Sequence, residues 1–143
     1  MVRPLAPGLI LALVLAAAPV GAVDRPTVTP VPRVGEWVEG LGSVAPVTVV
    51  PANKVRSPEA KALMRAFAGR LPEAGLPAEG YLLEVGPAGA LVIARDGMGA
   101  LRAAQTLRQL PQEPGACPRI RMADWPDLKW RGLHVLDSGP DSL

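Results

Sequence analysis

The sequence has 143 residues, with 15 lysines and arginines against 13 aspartates and glutamates and a formal net charge of +2. This length suits one domain, and the absence of a basic block or basic-aromatic stripe argues against nucleic acid as a partner. The single cysteine, Cys117, excludes an internal disulfide and a cysteine-based metal site. With one histidine as well, no zinc site is expected, and no phosphate-binding or dinucleotide-binding glycine pattern predicts a cofactor.

Residues 1–22 have the pattern of a secretory signal peptide. Arg3 precedes an apolar run over residues 9–18, and Val20-Gly21-Ala22 offers small residues for cleavage. The run is too short to cross a hydrocarbon core of about 30 Å as a helix. We expect a secreted or periplasmic protein, cut near Ala22, with no stable membrane span afterwards. An uncleaved N-terminal anchor is the alternative.

Two extended segments come next in the chain. Residues 23–35 carry three prolines, which are typical of a lead-in or an edge strand because proline removes a ladder donor. Residues 44–50 are β-branched and apolar, which predicts a strand. The two segments are expected to form the first pair, with residues 40–42 as part of their connection.

A first helix is predicted from Ser57-Pro58-Glu59. Serine caps free amides, proline suits the first helical position, and glutamate complements the positive end of the helix dipole. An apolar stripe then follows at spacings of three and four: Ala60, Leu63, Met64, Phe67 and Leu71.

A hairpin and a second helix follow. Residues 81–85 and 90–94 read as strands joined by a turn at residues 86–89. Asp96 is suited to cap a helix over residues 98–110, in which Gly99, Ala100 and Ala103 leave room for close packing on a sheet.

A last short strand is predicted over residues 118–122, after Pro111 and Pro114 end the second helix. The element order is therefore β-β-α-β-β-α-β. This order indicates an α+β domain with both helices on one face of an antiparallel or mixed sheet.

Candidate catalytic residues are few. Glu36 with Glu39, and Asp124 with Asp127, are acids close in sequence, and paired carboxylates can catalyse glycoside hydrolysis. Acids in such positions are more often turn formers and solvated charges.

Ser57, Ser138 and His134 supply the residue types of a hydrolase triad, but His134 lies in an apolar run, where a packed core histidine is more typical. Cys117 is interpreted as a small loop or core residue. The residues by themselves indicate an exported α+β domain without a visible active site.

Four ordered motifs add a resemblance. They are EGYLLEV at residues 79–85, IARDG at 93–97, QTLRQL at 105–110 and IRMADWPDLKWRG at 120–132. Together they resemble glycoside hydrolase family 20, the β-N-acetylhexosaminidases, over roughly residues 27–138. In that family a small non-catalytic α+β domain precedes a (β/α)8 barrel. Related domains precede barrels in the family 84 hexosaminidases and the α-glucuronidases.

The resemblance implies three regions. These are a signal peptide at residues 1–22, the α+β domain at 23–123, and at 124–143 a linker with the first strand, residues 130–136, of a truncated barrel. Such a barrel takes about 250 residues. The resemblance also implies an enzyme that removes terminal N-acetylhexosamine from glycans or chitin-type oligosaccharides. In it the substrate's acetamido oxygen attacks, a glutamate acts as acid and an aspartate orients the acetamido group.

Nothing in the sequence matches that Asp-Glu pair, so this chain alone is expected to be inactive. Arg131 matches a family arginine that binds sugar hydroxyls, a role that suits the planar guanidinium fork. Its alternative role is a structural arginine at the domain junction, paired with Asp124 or Asp127. Asp137 comes one residue later than the family's strand-end aspartate, so it is assigned no role.

A second interpretation belongs to a different class of protein. The chain can be a complete, secreted, non-catalytic domain that binds a partner or a glycan. An exposed aromatic platform would favour this alternative over the hexosaminidase interpretation.

Overall fold

The computed structural model describes residues 25–128. The predicted order β-β-α-β-β-α-β is confirmed, and a short 3-10 helix, Ala52–Lys54, follows the second strand. The elements are β1 (Val34–Gly42), β2 (Val47–Pro51), α1 (Pro58–Phe67), β3 (Tyr81–Gly86), β4 (Gly89–Ala94), α2 (Gly97–Leu107) and β5 (Cys117–Asp124). The five strands form one mixed sheet in the order β1-β5-β3-β4-β2. All neighbours are antiparallel except β2 and β4. The domain is α+β, as the pattern predicted.

The predicted first pair is wrong, because β1 and β2 lie at opposite edges of the sheet. The first strand begins at Val34, so most of residues 23–35 precede it, and residues 40–42 belong to β1 and not to a connection. The reason is the composition of the strands. β3 and β4 are apolar and take the centre, while β1, which carries Glu36 and Glu39, tolerates the partly solvated edge.

The prediction of both helices on one face is also wrong. α1 packs its Ala60, Leu63 and Phe67 against a cluster that contains Leu82 and Ile93. α2 packs against a second cluster, on the other side of the sheet, whose members from both elements include Tyr81, Leu83, Val92, Ala103 and Leu107. Successive residues of a strand point to opposite faces. The continuous apolar runs of β3 and β4 therefore need a helix on each side.

The local signals for the helices are confirmed. Ser57 Oγ accepts a hydrogen bond from the backbone N–H of Ala60 at 3.2 Å, which caps α1. α2 ends at Leu107, three residues before the predicted end. Its last turn tightens, since the Leu110 N–H bonds to the Leu107 carbonyl, three residues back, at 3.2 Å.

The hairpin between β3 and β4 depends on a close approach of two backbones. Gly86 pairs with Gly89 across the turn, and Gly89 has a φ of 126°. A Cβ on Gly89 would overlap the carbonyl oxygen of Pro46, the residue before β2. Glycine at this position thus allows the parallel strand β2 to start against the turn.

The segments that carry the predicted signal peptide (residues 1–22) and barrel strand (residues 130–136) lie outside the described residues. Between residues 25 and 128, neither helix has the length and apolar character needed to cross a bilayer.

Candidate functional site

Three of the four paired acids named from the sequence have hydrogen-bond or ion-pair partners. Glu36 Oε2 accepts a hydrogen bond from Arg70 Nη2 at 2.8 Å. Asp124 accepts one from the backbone N–H of Arg33, and Asp127 forms an ion pair with the same arginine. Three of the four candidate carboxylates are thus committed to structural contacts, and they form no acid-base pair.

Of the three residue types of a hydrolase triad named from the sequence, only Ser57 lies in residues 25–128. The Ser57 hydroxyl serves as a helix cap, and His134 and Ser138 lie outside the described residues. Cys117 is fully buried, and burial raises the pKa of its thiol. A buried thiol held in its neutral form is an inert core group, as expected.

The motif around Asp96 ties the hairpin to α2. Asp96 Oδ1 accepts from the Gly99 N–H at 2.9 Å, and Oδ2 accepts from the Glu79 N–H at 2.8 Å. Arg102 on α2 donates to Glu79 Oε2 at 2.7 Å. The N–H groups of Glu79 and Gly99 hold the pKa of Asp96 below its ordinary value, because they favour the charged form.

The remaining motif residues also hold elements together. A Cβ on Gly99 would overlap the carbonyl oxygen of Gly80, so the start of α2 rests on the loop before β3. The Tyr81 hydroxyl and Thr106 Oγ1 share a buried hydrogen bond of 2.6 Å. Burial raises the pKa of Tyr81 to about 12, so the phenol stays neutral. Asp96, Gly99, Tyr81 and Thr106 thus have structural roles.

Replacing Asp96 should destabilise the domain in a pH-dependent way. Asp96→Ala should lower the free energy of unfolding by about 0.5–2 kcal/mol, the usual loss for an N-cap. A carboxylate with a depressed pKa stabilises the fold above the unfolded pKa of about 3.9 and loses that effect as pH falls through the folded value.

The matched variant for this pH effect is Asp96→Asn, which keeps a capping oxygen without the charge. Denaturant unfolding from pH 7 to pH 2 should show that the gap in free energy of unfolding between wild type and Asp96→Asn becomes smaller as the pH falls. A gap that stays constant over this range would contradict the assignment.

A row of charges crosses the sheet on the α1 side. Glu36, Arg121 and Glu84 lie opposite one another on β1, β5 and β3. Arg121 Nε donates to Glu84 Oε1 at 2.9 Å, and its Nη1 lies 4.0 Å from Glu36 Oε1. Together with Arg70, two arginines balance two glutamates here. Pairs of this exposure contribute at most about 1 kcal/mol each, so the row is a structural feature.

Arg33 connects the segment before β1 with the residues at the end of β5 and just after it. No local sequence pattern predicted these contacts. Its Nε donates to the Trp125 carbonyl at 3.0 Å, and its backbone N–H donates to Asp124 Oδ1 at 3.3 Å. The guanidinium also pairs with Asp127 and lies 5.0 Å from the centre of the Trp125 ring. The two acids named as partners of a structural Arg131 are therefore bound by Arg33, while Arg131 itself lies outside the described residues.

Residues 25–128 contain no open aromatic platform for a sugar. Phe67 and Tyr81 are buried. Trp37 and Trp125 are half-buried against the core clusters, and each has a guanidinium over its ring, from Arg25 at 5.7 Å and from Arg33 at 5.0 Å. The same part of the chain has no group of three or more metal-ligating side chains.

The fold is a small α+β domain, and the contacts of its motif residues stabilise that domain. The family model for glycosyl hydrolase family 20, domain 2, matches residues 28–125. The chain therefore belongs to glycosyl hydrolase family 20. This confirms the resemblance to its N-terminal non-catalytic domain.

Three solved structures contain a region that is similar to this chain. A β-N-acetylhexosaminidase from Bacteroides fragilis is 28% identical, with a TM-score of 0.47 over 73% of this chain and 26% of its own. A family 20 β-N-acetylglucosaminidase is 27% identical, with a TM-score of 0.49 over 74% and 24%. A further β-N-acetylhexosaminidase is 21% identical, with a TM-score of 0.52 over 77% and 20%, and shares the fold. The chain thus spans about a quarter of these proteins. No curated protein matches it.

Proposed function

We propose that this domain is the non-catalytic companion of a catalytic barrel in an exported enzyme that removes terminal N-acetylhexosamine from glycans. The observation that carries the proposal is the match of residues 28–125 to domain 2 of glycosyl hydrolase family 20. In this proposal the residues after Leu128 lead into the barrel, and the barrel supplies the Asp-Glu pair for substrate-assisted hydrolysis. The domain itself binds no cofactor.

The contacts of five described carboxylates support the expectation that this chain alone has no activity. Retaining glycosidases need an acid and a second group placed on the two sides of a sugar. Glu36, Glu84, Asp124 and Asp127 are held by arginines, and Asp96 is held by two backbone amides. None of these acids is both unpaired and placed in a cavity with another.

We also propose Arg131 as the substrate-binding residue, because it matches the family arginine of the WRG segment at residues 130–132. A planar guanidinium can donate to two adjacent hydroxyls of a sugar. The competing structural role would pair Arg131 with Asp124 or Asp127. Asp127 forms an ion pair with Arg33, whereas Asp124 accepts only from the Arg33 backbone N–H. The glycan is the proposed partner of the whole enzyme.

Export is the remaining part of the proposal, and it depends on residues 1–22. The apolar run and the small residues before Val23 have the order that signal peptidase recognises. We propose a secreted or periplasmic location, with a mature N-terminus near Val23.

One experiment tests the proposal on the protein from its natural source. Antibodies raised against residues 25–128 should deplete N-acetylhexosaminidase activity from the exported fraction, measured with a chromogenic N-acetylglucosaminide. The captured protein should be larger than the 143-residue chain, and mass spectrometry should place its N-terminus near Val23. The purified 143-residue chain serves as the control and should give no turnover above the buffer blank.

Two results would count against the proposal. If the antibodies capture only a polypeptide of this length, and activity stays in the supernatant, the domain is not part of a hexosaminidase. If the purified 143-residue chain hydrolyses the substrate after repurification, the assignment of chemistry to the barrel is wrong.

A further inference from the structure

Arg33 is the most connected side chain at the point where the chain leaves the domain. Its side chain contacts two residues just after β5: Nε donates to the Trp125 carbonyl, Nη2 pairs with Asp127, and the guanidinium plane lies over the Trp125 ring. Its backbone N–H donates to Asp124, the last residue of β5. These partners are about 90 residues away in sequence. One arginine thus contacts three of the four residues of the segment 124–127.

Arg33 can hold this segment because its own backbone is fixed on both sides. On the N-terminal side, the Gln109 side chain accepts from the Thr29 N–H at 2.7 Å and donates to the Thr29 carbonyl at 2.9 Å. Val28 is buried in the cluster under α2. On the C-terminal side, β1 begins at Val34 and pairs with Ala123 of β5. The base of the arginine is therefore part of the rigid domain.

The contacts differ from an ordinary surface ion pair. An exposed pair between one arginine and one carboxylate is easily exchanged for water. Here the planar fork donates to a carbonyl and pairs with a carboxylate, while its face covers an aromatic ring. This combination fixes the direction of the backbone, since a carbonyl oxygen and a ring of the same residue are both engaged.

We infer that Arg33 is a positioning residue, which holds residues 124–127 in one orientation at the end of β5. This role does not depend on the proposed function.

Backbone ¹⁵N relaxation of the 143-residue chain tests this inference without any activity. In Arg33→Ala, the order parameters of Trp125, Asp127 and Leu128 should fall from about 0.85, typical of rigid backbone, to below about 0.6. The order parameters of β3 and β4 should keep their wild-type values. Arg33→Lys should restore little, since an ammonium cannot engage the carbonyl, the ring and Asp127 together.

The matched control is Arg25→Ala. Arg25 is also an arginine of the lead-in segment with an aromatic ring beneath its guanidinium, that of Trp37. Arg25→Ala should leave the order parameters of residues 125–128 unchanged. Asp127→Asn removes the carboxylate charge from the contact with Arg33 and should lower these order parameters as well.

Two outcomes would overturn the inference. One is unchanged order parameters at residues 125–128 in both Arg33→Ala and Asp127→Asn. The other is a uniform loss of order that includes β3 and β4, which would make Arg33 a general stability residue.

Discussion

Gly99→Ala is expected to destabilise the domain by about 1–3 kcal/mol, the usual range for overpacking a tight contact. The added Cβ would overlap the carbonyl oxygen of Gly80 and lie 3.1 Å from its carbonyl carbon. Both are backbone atoms, so no side-chain rotation relieves the overlap, and α2 must move away from the loop before β3. The shift would also strain the contacts of Asp96 with Glu79 and Gly99. Chemical denaturation of the 143-residue chain measures the loss.

Gly97→Ala is the matched control for this prediction. Gly97 opens the same helix, and a Cβ there would meet no atom within 4 Å. Alanine is favoured over glycine in helices by up to about 1 kcal/mol, so this variant should be as stable as wild type or more so. Equal effects of the two substitutions would show that the close approach of Gly99 to Gly80 is not a determinant of stability.

Arg131→Ala should lower kcat/KM at least about tenfold in a hexosaminidase that contains this domain. A hydrogen bond from a charged donor contributes roughly 1.5–3 kcal/mol, and about 1.4 kcal/mol corresponds to one decade in rate. Arg131→Lys should recover little of this, because an ammonium cannot donate to two adjacent hydroxyls in the same plane.

Measuring Tm and kcat/KM on the same preparations separates binding from structure. A substrate-binding arginine predicts a nearly unchanged Tm with weakened kinetics. If Arg131→Ala unfolds more easily but is kinetically normal while folded, Arg131 is a junction residue and the site assignment fails. Asp124→Asn probes the structural role directly, because it removes the charge of one of the two acids named as partners of Arg131. A matching loss of Tm in Asp124→Asn and Arg131→Ala would identify a junction pair.

Most of the secondary structure could be predicted because its signals are local. Ser57 caps α1 and Asp96 caps α2, as the residues that follow them indicated. The hairpin of β3 and β4 follows from a turn of two residues between two apolar runs. The family motifs were also visible in the sequence, although the structural roles of their residues were not. Asp96, Gly99 and Thr106 serve packing and capping, and a motif alone does not distinguish such roles from catalysis.

The candidate site was predicted less well, for a related reason. The acids Asp124 and Asp127 were visible as charged residues of a turn, but their partner Arg33 is about 90 residues away. Arg33 stands in a proline-rich lead-in without a periodic pattern. The row of Glu36, Arg121 and Glu84 was hidden in the same way, because its members come from three separate strands.

The sequence by itself determined the order of the elements, the starts of the helices, the hairpin and membership of the family. Each of these depends on residues within a few positions of one another or on ordered motifs. Only the tertiary structure decided that α1 and α2 cover opposite faces, that β1 and β2 lie at opposite edges, and that Arg33 contacts the segment 124–127. Burial of a strand on both sides and contact between residues far apart in sequence are properties of the assembled sheet. Each of them stabilises the folded chain only when several elements pack together.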